Sequence, residues 1–331
     1  MNKIMFKNKY LQAYCCIYAA LIVSAAQAQS TEPPYPVKPV RFVVGQAPGG
    51  ATDLIARMLT TRLTEAIGLS MIVDNRTGAA GSIAAGLVAK SAPDGYTLLA
   101  VSSSYSINPS LYSNLPFDPL KDLAPLILLA EAPFLLVVHP SLPARSVKEL
   151  VALAKAKPDA LNYASGGTGS SGHLAGELFK AAAGIKMVHV PHKGAGPALT
   201  DTMAGQVQLT FASMISSLPH VRSTRLRALA VTSLKRSAAL PDLPTVIEAG
   251  VRDYATTSWY GVLAPAGTRA SVIQHMNNEL GKVIALPAMR QKLASDGAEA
   301  AGGSPEFFQK HLATEIAKWS RVVKAAGIRI E

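Results

Sequence analysis

Short apolar segments alternate with amphipathic segments along almost the whole chain, and this alternation restricts the possible folds more than any other feature. Residues 40–44 have the length and β-branched composition of a buried strand. Residues 52–67 then repeat apolar side chains at helical spacing and stop at Gly68. Strands that alternate with helices predict an α/β fold with a mixed, mainly parallel sheet flanked by helices. A length of 331 residues favours two lobes over one.

The same two patterns predict elements as far as residue 326. Strands are predicted at 40–44, 71–73, 96–101, 134–138, 161–164, 187–190, 207–211, 226–232 and 259–263. Helices are predicted at 52–67, 82–89, 146–156, 173–183, 197–204, 270–285, 288–294 and 305–326. Ser-Val-Lys-Glu at 146–149 has the spacing of a capping box and marks the start of one helix.

Three of the predicted strand-to-helix loops are rich in glycine, at 45–53, 164–173 and 191–197. In an open α/β sheet such loops lie at the carboxyl ends of the strands, where ligands bind. The first N–H groups of a helix have no internal partner and carry partial positive charge, and glycine lets a ligand approach them closely. The loops therefore predict a site for a carboxylate. An ordinary tight connection explains any one loop, but it explains three in one chain less well.

Residues 167–172 match the Gly-x-Gly-x-x-Gly pattern of dinucleotide-binding proteins and lie between a predicted strand and a predicted helix. Such a site also needs an acidic residue at the end of the next strand, to bind the ribose. Pro191, His192 and Lys193 occupy that position. We therefore expect no dinucleotide, and no other cofactor.

Candidate catalytic and metal-binding groups are few. Ser170 or Ser171 beside His173 resembles a nucleophile and its base, but a serine that caps a helix is the commoner explanation. The chain has no Gly-x-Ser-x-Gly motif. His189 and His192 lack the cysteine or carboxylate partners of a metal site. The chain is accordingly predicted to be a binding protein, not an enzyme, and to hold no metal.

The N-terminal 28 residues have the three parts of a secretory signal peptide. Lysines at 3, 7 and 9 precede an apolar run over 11–23, and Ala-Gln-Ala at 26–28 predicts cleavage near Ala28-Gln29 and a periplasmic protein. A membrane anchor is disfavoured because the run is shorter than the roughly 20 apolar residues that span a bilayer. Lipidation is disfavoured because Cys15 and Cys16 lie in the middle of the run.

Cysteine content and charge narrow the function further. Both cysteines fall inside the predicted signal peptide, so the mature chain is expected to have no disulfide, thiolate nucleophile or cysteine-based metal site. The formal net charge is +11, but the basic residues are scattered and are not interleaved with aromatic ones. We therefore expect no nucleic-acid partner. The charge fits electrostatic attraction of small anions and equally a merely solvated basic surface.

The chain resembles the substrate-binding proteins of tripartite tricarboxylate transporters, the Bug/TctC family, from about Tyr35 to the C-terminus. The resemblance rests on the order and spacing of many short motifs, any one of which is weakly specific. They are Ala-Pro-Gly-Gly-Ala-Thr-Asp at 47–53, Asp-Asn-Arg-Thr-Gly-Ala-Ala-Gly at 74–81, Pro-Asp-Gly-Tyr-Thr-Leu at 93–98, Asn-Tyr-Ala-Ser-Gly at 162–166, His-Leu-Ala-Gly-Glu-Leu-Phe at 173–179, Val-Pro-His-Lys-Gly at 190–194, Leu-Ala-Val-Thr-Ser at 229–233, Leu-Pro-Thr-Val at 243–246, Glu-Ala-Gly at 248–250 and Ser-Trp-Tyr-Gly at 258–261.

This resemblance implies a type II periplasmic-binding fold. Lobe 1 is expected at 35–137 plus 259–331 and lobe 2 at 138–258, with strands near 134–138 and 258–263 as the hinge. It also implies that backbone amides and ordered water hold the ligand's carboxylate between two loops, and that a membrane permease receives it from a monomeric protein. The residues expected at the ligand are Gln46, Gly49, Gly50, Ala51, Thr52, Asp53, Ser102, Ser103, Ser165, Gly166, Thr168, Gly169, His173, Lys193, Gly194, Ala195, Ala212 and Ser213.

Two positions depart from the family pattern. The acidic residue that often faces the far end of the ligand is replaced by Ala212, followed by Ser213, and the usual tyrosine before Lys193 is His192. Loss of the acid favours a second carboxylate or an aromatic ring over an amino group. The predicted function is capture of a di- or tricarboxylate or an aromatic acid for transport. A periplasmic ligand sensor in a signalling system and a serine hydrolase that uses Ser171 and His173 are the alternatives.

Overall fold

The structure is a computed structural model that describes residues 35–325. The predicted signal peptide, with Cys15 and Cys16, lies outside the described residues. Within 35–325, no helix is both long enough and apolar enough to cross a membrane.

The strands form one mixed sheet in the order β2-β1-β3-β9-β4-β7-β5-β6, with β8 and β10 paired to β4. The strands are β1 (Val40–Val44), β2 (Met71–Asn75), β3 (Thr97–Ser102), β4 (Leu123–Val138), β5 (Asn162–Ser165), β6 (Val188–Pro191), β7 (Leu209–Ser213), β8 (Arg227–Val231), β9 (Thr257–Pro265) and β10 (Glu299–Ala300). Strands β1, β2 and β3 pair in parallel, as do β5, β6 and β7, whereas β4 and β9 pair antiparallel to their neighbours. The expected mixed α/β fold is confirmed.

Helices follow most of the strands and flank the sheet. They are α1 (Ala51–Ile67), α2 (Ser82–Ala89), α3 (Ser104–Ile107), α4 (Val147–Ala156), α5 (Ser171–Ala183), α6 (Ala195–Met203), α7 (Met214–Arg222), α8 (Ala270–Ala285), α9 (Pro287–Ser295) and α10 (Pro305–Ala325). Short 3-10 turns occur at Ala79–Gly81 and Asn108–Ser110. Because α1, α5 and α6 begin directly after glycine-rich loops, their N-termini lie at the carboxyl ends of β1, β5 and β6.

The 16-residue strand β4 joins the two halves of the sheet. Its first part, through Pro133, pairs with β9, and residues 134–138 pair with β7 and β8. The sequence prediction of a strand over 134–138 covers only its last five residues. Its pairing with β9 shifts register between Pro125 and Ile127 and again between Leu128 and Ala130, which leaves Leu126 and Leu129 outside the ladder as in a β-bulge.

Separate apolar clusters fill the two halves. One packs Phe134, Tyr163, Phe179, Phe211 and Tyr254 around β4, β5 and β7. The other packs side chains of β1, β3 and β9 against α2 and α10, and Phe308 is fully buried in it. A Cβ at Gly261 would overlap the Phe308 ring, so glycine at this position lets α10 approach the sheet. The two clusters hold the ends of the strands in place on either side of the cavity described next.

Candidate functional site

A cavity of about 640 Å³ opens where the strand ends of the two halves face each other. Its volume lies in the range typical of small-molecule sites. The wall is formed by the loops that follow β1, β2, β5 and β6, by the ends of β3 and β7, and by side chains of β4 and β9. The wall-lining residues used below are Gly45, Gln46, Ala51, Thr52, 77–80, Ser102, Tyr112, Phe134, 166–168, 170–172, 191–195, 210–213, Ser258 and Tyr260.

Asp53 holds the first glycine-rich loop in place. Its carboxylate accepts hydrogen bonds from Gly49 N (3.0 Å), Arg57 Nε (3.0 Å) and Asn75 Nδ2 (3.0 Å), and Asn75 also donates to Gln46 O (2.9 Å). Burial alone would raise the pKa of Asp53, but these hydrogen bonds and the positive charge of Arg57 hold the pKa below its ordinary value. Asp53 therefore stays ionised and shapes the loop from outside the cavity wall.

Thr52 is a buried polar residue of the wall with a free hydroxyl. It lies in the first turn of α1 and is 3% exposed, and its Oγ1 has no hydrogen-bond partner among the described residues. A buried hydroxyl without a partner is costly, and the neighbouring N–H groups at the start of α1 also lack helical partners. The N-terminus of α1 thus presents several unsatisfied donors where the cavity wall passes Ala51 and Thr52.

Gln46 and Ser102 form the wall between β1 and β3, and Ser104 supports them from behind. Gln46 Nε2 donates to Ser102 Oγ (2.7 Å) and Ser104 Oγ (3.4 Å), and the two serine hydroxyls lie 3.1 Å apart. These bonds fix the amide of Gln46 against the end of β3.

The loop after β2 also lines the cavity, which the sequence prediction missed. Ala79 and Ala80 have φ of 44° and 50°, a left-handed conformation that is strained for residues other than glycine. The loop passes so close to the end of β1 that a Cβ at Gly45 would lie 2.6 Å from Gly81 Cα. The tight approach and the strain together bring 77–80 onto the wall.

Two stacked histidines support the loop after β5 from behind. The rings of His173 and His189 lie 4.1 Å apart, His189 Nε2 lies 2.6 Å from Ser165 Oγ, and His173 Nδ1 accepts from Gly169 N (3.3 Å). Burial lowers the pKa of His173, and burial together with the charges of His173, Lys180 and His192 lowers the pKa of His189 to about 3. Both rings are therefore neutral at pH 7 and hold the loop by hydrogen bonds.

The third loop places His192 and Lys193 on the wall. His192 Nε2 lies 2.8 Å from Asp201 Oδ2, and its Nδ1 lies 3.1 Å from Val190 O. Both partners only accept hydrogen bonds, so the ring makes both bonds only when both nitrogens carry protons. Lys193 is exposed on the wall and forms no ion pair within residues 35–325. No aspartate or glutamate of that range lines the cavity, so its charge is positive.

The predicted ligand residues divide into two groups. On the cavity wall lie Gln46, Ala51, Thr52, Ser102, Gly166, Thr168, Lys193, Gly194, Ala195, Ala212 and Ser213. Elsewhere in the described chain lie Gly49, Gly50, Asp53, Ser103, Ser165, Gly169 and His173. Asp53, Ser165 and His173 contact the loops that form the wall, so their motifs reflect support of the loops.

Tyr112, Phe134 and Tyr260 also line the cavity and were not predicted. Only the glycine motif at 74–81 could have signalled the loop after β2, whereas the three aromatic residues carry no local signal.

The serines beside His173 do not form a nucleophile–base pair. Ser170 Oγ accepts a hydrogen bond from the main-chain N of His173 (3.3 Å), which is helix capping. The ring of His173 is occupied by Gly169 and by stacking on His189. Among the described residues, no group of three or more His, Cys, Asp or Glu side chains could hold a metal ion.

A family model and a curated relative place the chain in the same protein family. Residues 55–328 match the family described as tripartite tricarboxylate transporter family receptor. Protein BugT of Bordetella pertussis is 36% identical over 299 residues, which cover 90% of this chain and 92% of BugT.

Solved structures agree. The structure of R. palustris Rpa4515 with adipate has 40% sequence identity and a TM-score of 0.87, covering 89% of this chain and 99% of that one. MatC (Rpa3494) from Rhodopseudomonas palustris with bound malate has 30% identity and a TM-score of 0.83, covering 87% of this chain and 100% of MatC. The chain therefore belongs to the tripartite tricarboxylate transporter receptor family, TctC/Bug, whose members are periplasmic binding proteins rather than enzymes.

Proposed function

We propose that this protein is a periplasmic receptor that captures a small carboxylate in the cavity and delivers it, chemically unchanged, to a membrane permease. One observation carries the proposal: unsatisfied donors at the start of α1, led by the buried Thr52 hydroxyl, meet a wall that contains the cation Lys193 and, within residues 35–325, no acidic side chain. Donors and positive charge are what a carboxylate requires. The adipate and malate in the structures of two relatives support the same ligand class.

Two helix N-termini are the proposed anchors of the carboxylate. Helix α1 begins at Ala51 and α5 at Ser171, and both residues line the cavity. Their dipoles add partial positive charge at the same place. Gly45 and Gly166 are wall residues without side chains, so a ligand can reach main-chain N–H groups there.

Capture is proposed to work by closure of two lobes, 35–137 plus 259–331 and 138–258, about β4 and β9. The two segments contact each other at the cavity, as a closed arrangement requires. Tyr112 Oη donates to Thr168 O (3.2 Å), and a Cβ at Gly194 would overlap Ala47. A ligand that contacts both segments favours the closed arrangement, because only differential affinity shifts such an equilibrium.

A binding experiment tests the proposal. Protein freed of ligand by unfolding and refolding is screened by thermal shift against mono-, di- and tricarboxylates, including adipate and malate. A ligand at 100 times its Kd adds about 2.7 kcal/mol to the free energy of unfolding. Absence of any shift across the panel would refute carboxylate capture.

The Thr52→Val variant tests the role of the buried Thr52 hydroxyl in ligand binding. Loss of a hydroxyl that donates to a charged group is expected to weaken carboxylate binding about tenfold or more. Thr61→Val is the matched control, because Thr61 is exposed on the same helix and its hydroxyl bonds Arg57 O. Equal affinities of Thr52→Val and wild type would refute the role of the α1 N-terminus.

Transport and sensing are separated by an uptake assay. Deletion of the gene is expected to abolish uptake of the bound carboxylate, with restoration by the wild-type gene but not by Thr52→Val. Unchanged uptake in the deletion strain would favour the sensor alternative.

A further inference from the structure

The imidazole of His192 is held between two oxygen atoms at the cavity wall. His192 lines the cavity just after β6, and its side chain is 11% exposed. Nε2 lies 2.8 Å from Asp201 Oδ2 of α6, and Nδ1 lies 3.1 Å from Val190 O. A neutral ring carries a single N–H, so one of its nitrogens would turn a lone pair toward an oxygen. The doubly protonated ring donates to both oxygens, and the geometry therefore favours the imidazolium.

The groups around His192 leave Asp201 as the acidic residue at the ring. The titratable residues of the surrounding elements are Tyr163 of β5, His173, Glu177 and Lys180 of α5, His189 of β6, Lys193 and Asp201. Burial and neighbouring positive charge, including that of His192, lower the pKa of His189 to about 3, so His189 is neutral. Burial raises the pKa of Tyr163, which keeps its proton. Glu177 and Lys180 form an ion pair with each other (2.8 Å).

Asp201 stabilises the imidazolium without cancelling its effect on the cavity. The Asp201 side chain is 46% exposed and does not line the cavity, so solvent screens its charge. The ring of His192 is nearly buried and belongs to a wall residue, so its charge is screened less. An anion in the cavity therefore favours the imidazolium over the neutral imidazole.

We infer that His192 is a proton-linked binding residue: capture of the carboxylate is accompanied by uptake of a proton from solvent onto its imidazole. The inference rests on the proposed function, because it concerns how the same cavity holds the same anion. An anion that favours the charged ring raises the ring's affinity for a proton, and by reciprocity the proton raises the affinity for the anion by the same factor. The tyrosine that is usual at this position in the family pattern is neutral near pH 7 and supplies no such charge.

Calorimetry of ligand-stripped protein with adipate between pH 6.5 and 8.5 tests the inference. Carboxylates stay ionised over this range, and His173 and His189, whose pKa values are lowered, remain neutral. The affinity for adipate is expected to fall severalfold as the pH rises across the range, because the charged form of His192 is lost. At pH 7.5, binding enthalpies in buffers of different ionisation enthalpy are expected to show a net uptake of protons.

His192→Gln keeps an amide donor for Asp201 but cannot take up a proton. The variant is expected to bind adipate severalfold more weakly than wild type at pH 6.5, with an affinity that no longer depends on pH and without proton uptake. His139→Gln is the matched control, because His139 is bonded to Ser141 and lies outside the cavity, and it should keep the pH dependence of wild type. If His192→Gln also kept that pH dependence, the inference would be overturned while carboxylate capture stood.

Asp201→Asn tests the positioning role of the carboxylate. The amide oxygen can still accept from His192 Nε2, but it carries no charge that stabilises the imidazolium, so the fall in adipate affinity between pH 6.5 and 8.5 is expected to be smaller than in wild type. A merely structural role would weaken binding equally at every pH, and that result would overturn the role of Asp201. If wild type binds adipate with an affinity independent of pH, the proton linkage fails. If wild type binds no carboxylate at any pH, the proposed function itself fails.

Discussion

The paired rings of His173 and His189 give the loop after β5 a dependence on protonation. His189 Nε2 contacts the Ser165 hydroxyl, and His173 Nδ1 accepts a hydrogen bond from the main chain of Gly169, which requires that this nitrogen carry no proton. Glu177 opposes the lowering of the His173 pKa, whereas Lys180 adds to it. A proton on either ring would place a charge beside its stacked neighbour.

Acid is therefore expected to destabilise the protein through these histidines. Both folded pKa values lie below the unfolded value of about 6.5, so the unfolded chain binds more protons, and stability that is complete above pH 6.5 is lost as the pH falls toward 3. The loss approaches about 1.4 kcal/mol per pH unit for His189. The loss of stability is measured by urea unfolding at pH 7.5 and at pH 5.5.

The variant His189→Gln keeps a polar group near Ser165 and is expected to lose less stability over this range than wild type. His139→Gln, which removes an imidazole bonded to Ser141, serves as the control. If the free energy of unfolding depended on pH identically in His189→Gln and wild type, His189 would not be a source of the acid destabilisation.

The hydrogen bonds of Asp53 are expected to contribute to the stability of the protein. Asp53→Asn cannot accept all the bonds from Gly49, Arg57 and Asn75, and it leaves Arg57 without its carboxylate. The free energy of unfolding is expected to fall by about 2–3 kcal/mol. Ligand affinity is expected to fall as well, because the first loop loses its support. Chemical denaturation checks this against the exposed control Asp242→Asn, whose unfolding midpoint should match wild type.

Among the elements, helix α6 and the first loop approach each other through glycine. A Cβ at Gly196 would overlap Pro48 O, and one at Gly194 would overlap Ala47. Gly196 is a helix residue with an ordinary φ, so its use reflects the close approach and not backbone conformation. The loops after β1 and β6 therefore meet only because these side chains are absent.

The variant Gly196→Ala distinguishes the effect of alanine on the stability of α6 from its effect on the closure of the two lobes. Alanine should stabilise an isolated helix by up to about 1 kcal/mol, but the added methyl group prevents the approach of Pro48. We expect severalfold weaker ligand binding without loss of folding cooperativity, measured by calorimetry and thermal unfolding. Gly281→Ala in α8, where the methyl group would meet Ile127 at an ordinary 3.9 Å, should leave affinity unchanged. Equal affinity in the two variants would argue against closure at this contact.

The elements differ in how far their sequences determine them. The strand Val40–Val44 and the helix Ala270–Ala285 follow from apolar spacing alone, and the structure confirms both bounds. The first part of β4 was not predicted, because Pro125, Glu131 and Pro133 interrupt its apolar run and only pairing with β9 makes a strand of it. Helix α7 was missed because Ser216, Ser217 and Pro219 are typical of a loop, yet both hydroxyls bond Ser213 O.

The residues of the candidate site also differ in how far the sequence predicts them. Glycine at helix starts marks the loops after β1, β5 and β6, because anion contact and tight turns need that residue locally. Sequence motifs could not distinguish Thr52, which lines the cavity, from its neighbour Asp53, which supports the loop. Tyr112, Phe134 and Tyr260 reach the wall only through tertiary packing.

At the scale of the whole molecule, contacts both away from the cavity and at its wall join the two proposed lobes. Leu174 of α5 is buried against Ile107, Trp319 and Val323, from α3 and α10. Tyr112 and Thr168 form a hydrogen bond (3.2 Å) at the cavity wall. Separation of the two segments must break both sets of contacts.

Tyr112→Phe tests whether this hydrogen bond retains the ligand. Its removal is expected to raise the dissociation rate of a bound carboxylate severalfold and to change the association rate little. Tyr254→Phe is the control, because the Tyr254 hydroxyl also donates to a carbonyl, Ala175 O (3.1 Å), but not at the cavity. Stopped-flow measurements give both rates. An unchanged dissociation rate in Tyr112→Phe would exclude a retaining role.

The chain has no cysteine after Cys16, and this has a practical consequence. A single cysteine introduced at Thr77, which is exposed at the edge of the cavity, offers the only reactive thiol of residues 35–325. A maleimide fluorophore attached there would change its emission as solute fills the cavity. The labelled receptor would then act as an optical sensor for its own solute.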